Sequence, residues 1–167
     1  LRVHGAQDVN AEYLQRLTPW TPGAEPWDSE LLDDYANTLR GLGLFRSVEA
    51  APAAAELEKS GEGDGVPVLP ADITVAEAPF RSISGSARYD TDTGLGLEGV
   101  WEHRNLFHNG EKLTVTAPLA TEIQGIKAAF EKPAFLVREQ RLLASASALR
   151  EDTSAYRKMA GTASAGL

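Results

Sequence analysis

Hydrophobic and polar positions follow two different periods along the chain, and the change falls near residue 79. Before it, apolar residues recur three and four positions apart in two runs, residues 9–17 and 31–39, which is the spacing of helices that pack one face on a core. After it, apolar and polar residues alternate, which is the period of β-strands. The sequence therefore predicts two regions, residues 1–79 and residues 80–167.

Start and stop signals frame the two predicted helices. Asp8 or Asn10 can act as the N-cap of the first helix. Asp28 as N-cap, with Glu30 in the first turn, predicts the start of the second helix, and Gly41 predicts its end.

Segments with strand character flank these helices. Residues 1–5 resemble the end of a strand, residues 44–50 alternate, and residues 66–77 form a further strand after an acidic, glycine-rich turn at 60–65. The predicted order is strand, helix, helix, strand, strand, which indicates a small α+β domain.

The second region predicts a series of long strands. They cover residues 81–90, 95–104, 112–119, 126–131 and 142–148, with turn signals at 91–94, 108–110, 132–133 and 151–154. Globular strands have about five or six residues, whereas membrane-spanning strands need about 9–11. Successive strands joined by short turns predict an antiparallel meander. Its alternation fits either a transmembrane barrel wall or a half-buried soluble sheet.

The strand number predicts that a barrel would be incomplete. Residues 81–167 provide about six strands, whereas a membrane barrel needs at least about eight to close. We therefore expect either that the chain is a piece of a longer protein at both ends or that its strands form an open sheet and not a barrel wall. Its first residues lack the pattern of a signal peptide, which agrees with the first alternative.

Three motifs resemble the bacterial surface-antigen family of outer-membrane assembly proteins. They are Ala78-Pro79-Phe80-Arg81-Ser82-Ile83-Ser84-Gly85, Tyr89-Asp90-Thr91-Asp92-Thr93-Gly94 and Trp101-Glu102-His103-Arg104-Asn105-Leu106-Phe107. In that family such residues mark the first barrel hairpin. The chain departs from the family at His108, where a glycine usually follows Asn-Leu-Phe.

The resemblance also extends to the first region. Residues 42–48 and the strand at 68–79 resemble the end of a POTRA domain, which has the β-α-α-β-β order. The fold class it implies is an α+β POTRA domain followed by an antiparallel β-meander that forms an incomplete transmembrane β-barrel. Residues 1–79 would lie in the periplasm of a Gram-negative bacterium, and residues 80–167 would lie in the outer membrane.

The partners follow from the same resemblance. It implies unfolded outer-membrane or secreted client proteins, the lipid bilayer and an inner-membrane-anchored partner protein. The expected activity is insertion or export of clients by strand templating at the barrel seam.

Edge strands are the candidate binding sites, because an incoming peptide can pair with their free N–H and C=O groups. We predict client binding by strand addition at two segments, in the small domain and in the first barrel strand. Their residues are Phe45, Arg46, Ser47, Val48 and Glu49, and Ile83, Ser84, Gly85, Ser86, Ala87, Arg88 and Tyr89.

Two other functions remain open at this stage. A two-partner-type secretion pore would pass an exoprotein along a lumen lined by residues such as Glu98 and Glu102. A soluble β-rich binding module would bury its apolar face in an ordinary two-layer core.

Composition and motifs exclude several other classes. The net charge of -8 and the scattered basic residues argue against a nucleic-acid partner, and the absence of cysteine removes disulfides and thiolate chemistry. The sequence Gly94-Leu95-Gly96-Leu97-Glu98-Gly99 matches a dinucleotide motif, but the alternation after it predicts a strand where that site needs a helix. Residues 90–94 predict a turn and not a calcium loop, and His4, His103 and His108 lack metal-ligand spacing. We assign no catalytic residue, metal or cofactor.

Overall fold

A computed structural model of the chain describes residues 1–20, 28–52, 71–91, 94–153 and 156–167. The predicted turn at 60–65 and the start of the strand at 66–70 lie outside these residues. The chain forms two compact units, residues 1–78 and 79–167.

The first unit contains two helices and a three-stranded mixed sheet. Its elements are β1 (Arg2–His4), α1 (Ala11–Arg16), α2 (Ser29–Gly41), β2 (Phe45–Pro52) and β3 (Ala71–Glu77). The sheet order is β1-β3-β2, with β1 parallel and β2 antiparallel to β3. The predicted order of strand, helix, helix, strand, strand is confirmed.

Side-chain caps and a filled core hold this unit together. Asn10, one of the two predicted alternatives, caps α1, and Asp28 caps α2 by accepting a hydrogen bond from the Glu30 N–H at 2.8 Å. The apolar faces of both helices are buried, and the Tyr35 hydroxyl donates to the Leu14 carbonyl at 2.8 Å. Burial raises the pKa of Tyr35 above its ordinary value, so this hydroxyl keeps its proton.

The second unit is one antiparallel meander of six strands in sequential order. The strands are β4 (Arg81–Asp90), β5 (Gly94–His103), β6 (Lys112–Ala120), β7 (Ile123–Lys132), β8 (Leu142–Asp152) and β9 (Arg157–Gly166). The sheet is open, and β4 and β9 are its two edge strands.

Three predicted boundaries in β7 and β8 were wrong, one of them at Lys132, which was predicted as a turn residue and is the last residue of β7. Strand β7 begins at Ile123, three residues earlier than the alternation suggested, because its ladder with β8 already starts there. Strand β8 continues through Glu151 and Asp152, which were predicted as turn residues. The Asp152 N–H donates to the Glu122 carbonyl at 2.8 Å, so pairing with the neighbouring strands extends β8 past the end of its apolar pattern.

The strand pairing separates the side chains into an apolar face and a polar face. On the apolar face one row of neighbours across the sheet is Ile83, Trp101, Val115, Ala128, Ala146 and Ala163. On the polar face the adjacent row is Ser84, Val100, Thr116, Lys127, Ser147 and Thr162. The predicted alternation is therefore maintained across all six strands.

Within the described part of residues 79–167, no second layer covers the apolar face. No described side chain within these six strands is buried, and Ile83 and Met159 are 84% and 81% exposed. Soluble sheets bury one face against another layer. The sheet therefore presents a wide apolar surface that needs a partner or a nonpolar solvent.

Candidate functional site

Strand β4 presents an uninterrupted row of main-chain groups at the open edge of the large sheet. The Arg104 N–H donates to the Phe80 carbonyl at 2.8 Å, which fixes the direction in which alternate residues of β4 pair with β5. The N–H and C=O groups of the intervening residues point away from β5. These residues are Arg81, Ile83, Gly85, Ala87 and Tyr89.

Few side chains strengthen the attachment of β4 to its neighbour. Its central residues are serine, glycine and alanine, and Gly85 lies opposite Gly99 on β5. A hydrogen bond between Arg104 Nη2 and Ser82 Oγ, at 3.2 Å, lies at one end of the strand. Because cross-strand side-chain pairs add stability to a sheet, β4 depends mainly on its main-chain ladder.

Strand β2 is the corresponding edge of the small sheet. A Cβ atom at Gly5 would run into the Val75 carbonyl oxygen, so that carbonyl points toward β1. Val48 pairs with Val75, and its own N–H and C=O therefore point to the outer edge. The side chains of Phe45 and Val48 are buried in the core, which leaves the main chain as the accessible part of these residues.

Three features interrupt the outer edge of β2. A β-bulge lies between Phe45 and Ser47, and Pro52 at the end of the strand has no N–H. The Arg40 Nη2 atom, on α2, donates to the Val48 carbonyl at 2.9 Å. This last contact has no sequence signal, because it joins a helix end to a strand through tertiary packing.

The predicted binding residues thus form two separate groups. The residues from Phe45 to Glu49 lie on the edge strand of one unit, and those from Ile83 to Tyr89 lie on the edge strand of the other. Both groups lie on strands that have a single neighbour in the described sheets.

A buried charged cluster braces the β5–β6 loop. Glu111 is fully buried, and its carboxylate accepts hydrogen bonds from the Phe107 and Asn109 N–H groups and pairs with Lys132 Nζ at 3.1 Å. Burial raises the pKa of Glu111, but the hydrogen bonds and Lys132 outweigh that effect, and the pKa lies below its ordinary value. Nothing in the sequence singled out Glu111 or Lys132.

The same loop contains His108, at which the chain departs from the motif that it resembles. His108 has a φ of 66°, in the left-handed region where glycine carries no steric cost. A glycine at this position would therefore be free of that cost.

The other motifs behave as elements of a sheet. The glycine pattern at 94–99 lies on β5, as predicted, and no helix opens there. Residues 92 and 93 of the predicted turn lie outside the described residues. Among the residues that the structure covers, no helix is long and apolar enough to cross a membrane, and no group of three or more acidic or histidine side chains could hold a metal ion.

The fold and its edges define a class: a small α+β unit followed by an open antiparallel sheet with one apolar and one polar face. A search of solved structures finds this fold in the crystal structure of BamA from Haemophilus ducreyi lacking POTRA domains 1–3. The TM-score is 0.72 at 16% sequence identity, and the alignment covers 98% of this chain and 31% of that chain. The chain thus spans about a third of the length of the BamA structure. No protein-family model and no curated protein sequence matches the chain.

Proposed function

We propose that the chain is part of an outer-membrane protein assembly or translocation factor, in which the open edge of β4 templates the pairing of client strands. The observation that carries this proposal is the uncovered apolar face of a sheet whose first strand has a free edge. The fold shared with BamA and the surface-antigen motifs support the same class of protein.

The dimensions of the sheet support its placement in a bilayer. The six strands have 9 to 11 residues, and a tilted strand needs about 9–11 residues to cross the hydrocarbon core. Barrel walls alternate apolar side chains toward lipid with polar side chains toward the lumen. In this proposal the sheet is the first part of a barrel wall, and lipid covers the apolar face.

The first unit acts as a POTRA-like domain in the periplasm. Its β-α-α-β-β order and its motif at 42–48 support this role. Unfolded clients would pair with the edge of β2 before they reach the barrel seam. The motifs resemble those of TamA, the barrel subunit of the translocation and assembly module, and this resemblance implies an inner-membrane-anchored partner.

Strand β4 suits a seam that must open and close. A client strand that pairs with it satisfies main-chain groups that would otherwise meet hydrocarbon, where each unsatisfied group costs several kcal/mol. The small side chains of β4 impose little preference on the client sequence. The seam can therefore accept many different strands and release them.

Disulfide trapping in the full-length protein tests this proposal. The chain has no cysteine, so Ser84→Cys can be paired with single cysteines along the C-terminal strand of an outer-membrane client. We expect crosslinks at client positions two residues apart, because strand pairing has a period of two. Thr116→Cys on β6, which is paired on both sides, is the matched control and should not crosslink. The absence of crosslinks to Ser84→Cys at every client position would contradict the proposal.

A secretion pore is a second candidate, favoured by the charged side chains on the polar face. Glu98 and Glu102 lie on that face, and Glu102 pairs with Lys112 at 2.9 Å and with Arg104 at 2.8 Å. A pore predicts crosslinks from a passing exoprotein to Glu98→Cys. Templating predicts that most crosslinks form at Ser84→Cys on the edge strand.

A further inference from the structure

We propose that Arg40 closes the outer edge of β2 and that a strand carrying a carboxylate opens it. This inference rests on the proposed role of β2 in receiving clients. It adds a positioning residue at that edge and a chemical preference in the strand that pairs there.

The closure follows from the direction of the Val48 carbonyl. This carbonyl points away from β3, and its oxygen accepts a hydrogen bond from Arg40 Nη2 at 2.9 Å. A second hydrogen bond, from Arg40 Nη1 to Asn37 Oδ1 at 2.8 Å, holds the guanidinium in place from the same helix. An incoming strand needs the Val48 carbonyl as an acceptor, so it must compete with Arg40 for that oxygen.

The usable stretch of the edge is short, which increases the importance of this one contact. The bulge between Phe45 and Ser47 interrupts the strand before Val48, and Pro52 offers only a carbonyl at its end. The regular outward-facing residues are therefore Val48, Ala50 and Pro52. Arg40 blocks the first acceptor of this set.

The chemistry of guanidinium indicates what releases it. Arg40 is exposed, and the Val48 side chain points into the core, so α2 and Arg40 lie on that face of the sheet. Glu49 alternates to the opposite face and does not compete for the guanidinium. A carboxylate on the incoming strand can accept two parallel hydrogen bonds from Arg40, which are stronger than one bond to a neutral carbonyl. Such a strand frees the Val48 carbonyl and gives the Arg40 guanidinium a new hydrogen-bond acceptor in the same step.

Peptide binding to the full chain in detergent micelles tests the inference. The probes are two synthetic nine-residue peptides of alternating valine and threonine, one with a central glutamate and one with glutamine at that position. Fluorescence anisotropy gives the ratio of their affinities for wild type and for Arg40→Met. We expect wild type to favour the glutamate peptide by about tenfold, as for one charge-assisted contact. Arg40→Met should bind the glutamine peptide more tightly than wild type does and lose the preference.

The controls separate a positioning role from a structural one. Arg16→Met removes the arginine in the last turn of α1 and should retain the wild-type ratio. Arg40→Lys keeps a cationic donor and should restore part of the preference. Peptides N-methylated at alternate residues should lose binding to wild type and to Arg40→Met, because they cannot form the main-chain ladder.

The contradicting outcomes differ for the two proposals. If wild type and Arg40→Met bind both peptides with the same ratio, the role of Arg40 is wrong, whichever edge strand the peptides occupy. If neither protein binds either peptide, the proposed function of the β2 edge fails and this inference falls with it.

Discussion

Strand β2 packs on the buried core of the first unit, whereas β4 borders a sheet with no second layer in the described part of the second unit. This difference determines what each edge can offer a partner. Strand β2 has a bulge, a terminal proline and a capped carbonyl, which are features that soluble proteins use to prevent uncontrolled pairing. Strand β4 has ten residues in regular pairing with β5 and no such protection on its described outer edge. A protected edge suits brief, selective contact, and a bare edge suits templating.

The comparison also separates the sources of stability in the two units. Tyr35, Leu39 and Ile73 are fully buried in the first unit, so packing supplies much of its stability. In the second unit, stability comes from the main-chain hydrogen bonds between strands and from the contacts of the buried Glu111 carboxylate.

Truncation of a core side chain should affect the first unit strongly. Leu39→Ala removes a fully buried side chain and should lower the free energy of unfolding by about 3 kcal/mol, through lost apolar burial and the cavity that remains. Ile83→Ala on the exposed face of β4 is the control and should change it by less than about 0.5 kcal/mol. Denaturant titration, with amide exchange in β3 and β5 as the readout for the two units, measures the change in each variant. Equal losses of stability in the two variants would contradict the proposed difference between the units.

Amide exchange should alternate along β4. The N–H groups of Ser84 and Ser86 pair with β5 and should exchange at least about 100-fold more slowly than those of Gly85 and Ala87, which face the open edge. On β6, both neighbours are present, and adjacent residues should show similar protection. Uniform protection along β4 would mean that another strand already covers its edge.

Removal of the buried charge should weaken the second unit at the β5–β6 loop. Glu111→Gln replaces a carboxylate that accepts several hydrogen bonds and should cost about 2 kcal/mol. Glu102→Gln, on a partly exposed ion pair, is the control and should cost well under about 1 kcal/mol. Equal costs for the two variants would contradict the bracing role of Glu111.

The same carboxylate predicts a pH dependence. Since the folded pKa of Glu111 lies below its ordinary value, its contribution is present at neutral pH and is lost as the pH falls through the folded pKa. The Glu111→Gln variant should lack this part of the acid sensitivity, as measured by thermal melts across the acidic range. An unchanged acid profile in the variant would contradict the assignment.

Replacement of His108 should have the smallest effect. His108→Gly removes a side chain from a left-handed backbone position and should stabilise the loop by about 0.5 kcal/mol. Asn109→Gly, at a neighbouring position whose side chain donates to the Phe107 carbonyl, should destabilise it. A loss of stability in His108→Gly would show that the histidine contributes more through its contacts than it costs in strain.

The sequence predicted the elements whose signals are local. The caps at Asn10 and Asp28 and the alternation in β4–β6 each depend on residues a few positions apart, so the helices and most strand ranges were recovered. The start of β7 was missed because Gln124 and Gly125 interrupt the apolar alternation, and only the pairing with β8 extends the strand. The end of β8 was missed because Glu151 and Asp152 resemble turn residues until Lys158 and Arg157 pair with them.

The candidate site was predictable only in part. Edge strands were predicted from element order, and the topology places β2 and β4 at sheet edges. The contact between Arg40 and Val48 and the pair between Glu111 and Lys132 join residues on different elements. Their spacing in sequence carries no periodic signal, so these contacts emerge only once the chain is folded.

Spin-label accessibility along β6 tests whether lipid covers the apolar face of the sheet. Single labels at Leu113, Thr114, Val115 and Thr116 in the full-length protein, reconstituted in bilayers, can be relaxed by oxygen or by a water-soluble nickel complex. We expect alternation, with the labels at Leu113 and Val115 accessible to oxygen and those at Thr114 and Thr116 accessible to nickel. Labels at Leu113 and Val115 that are shielded from both reagents would show that protein covers this face, and the claim would be wrong.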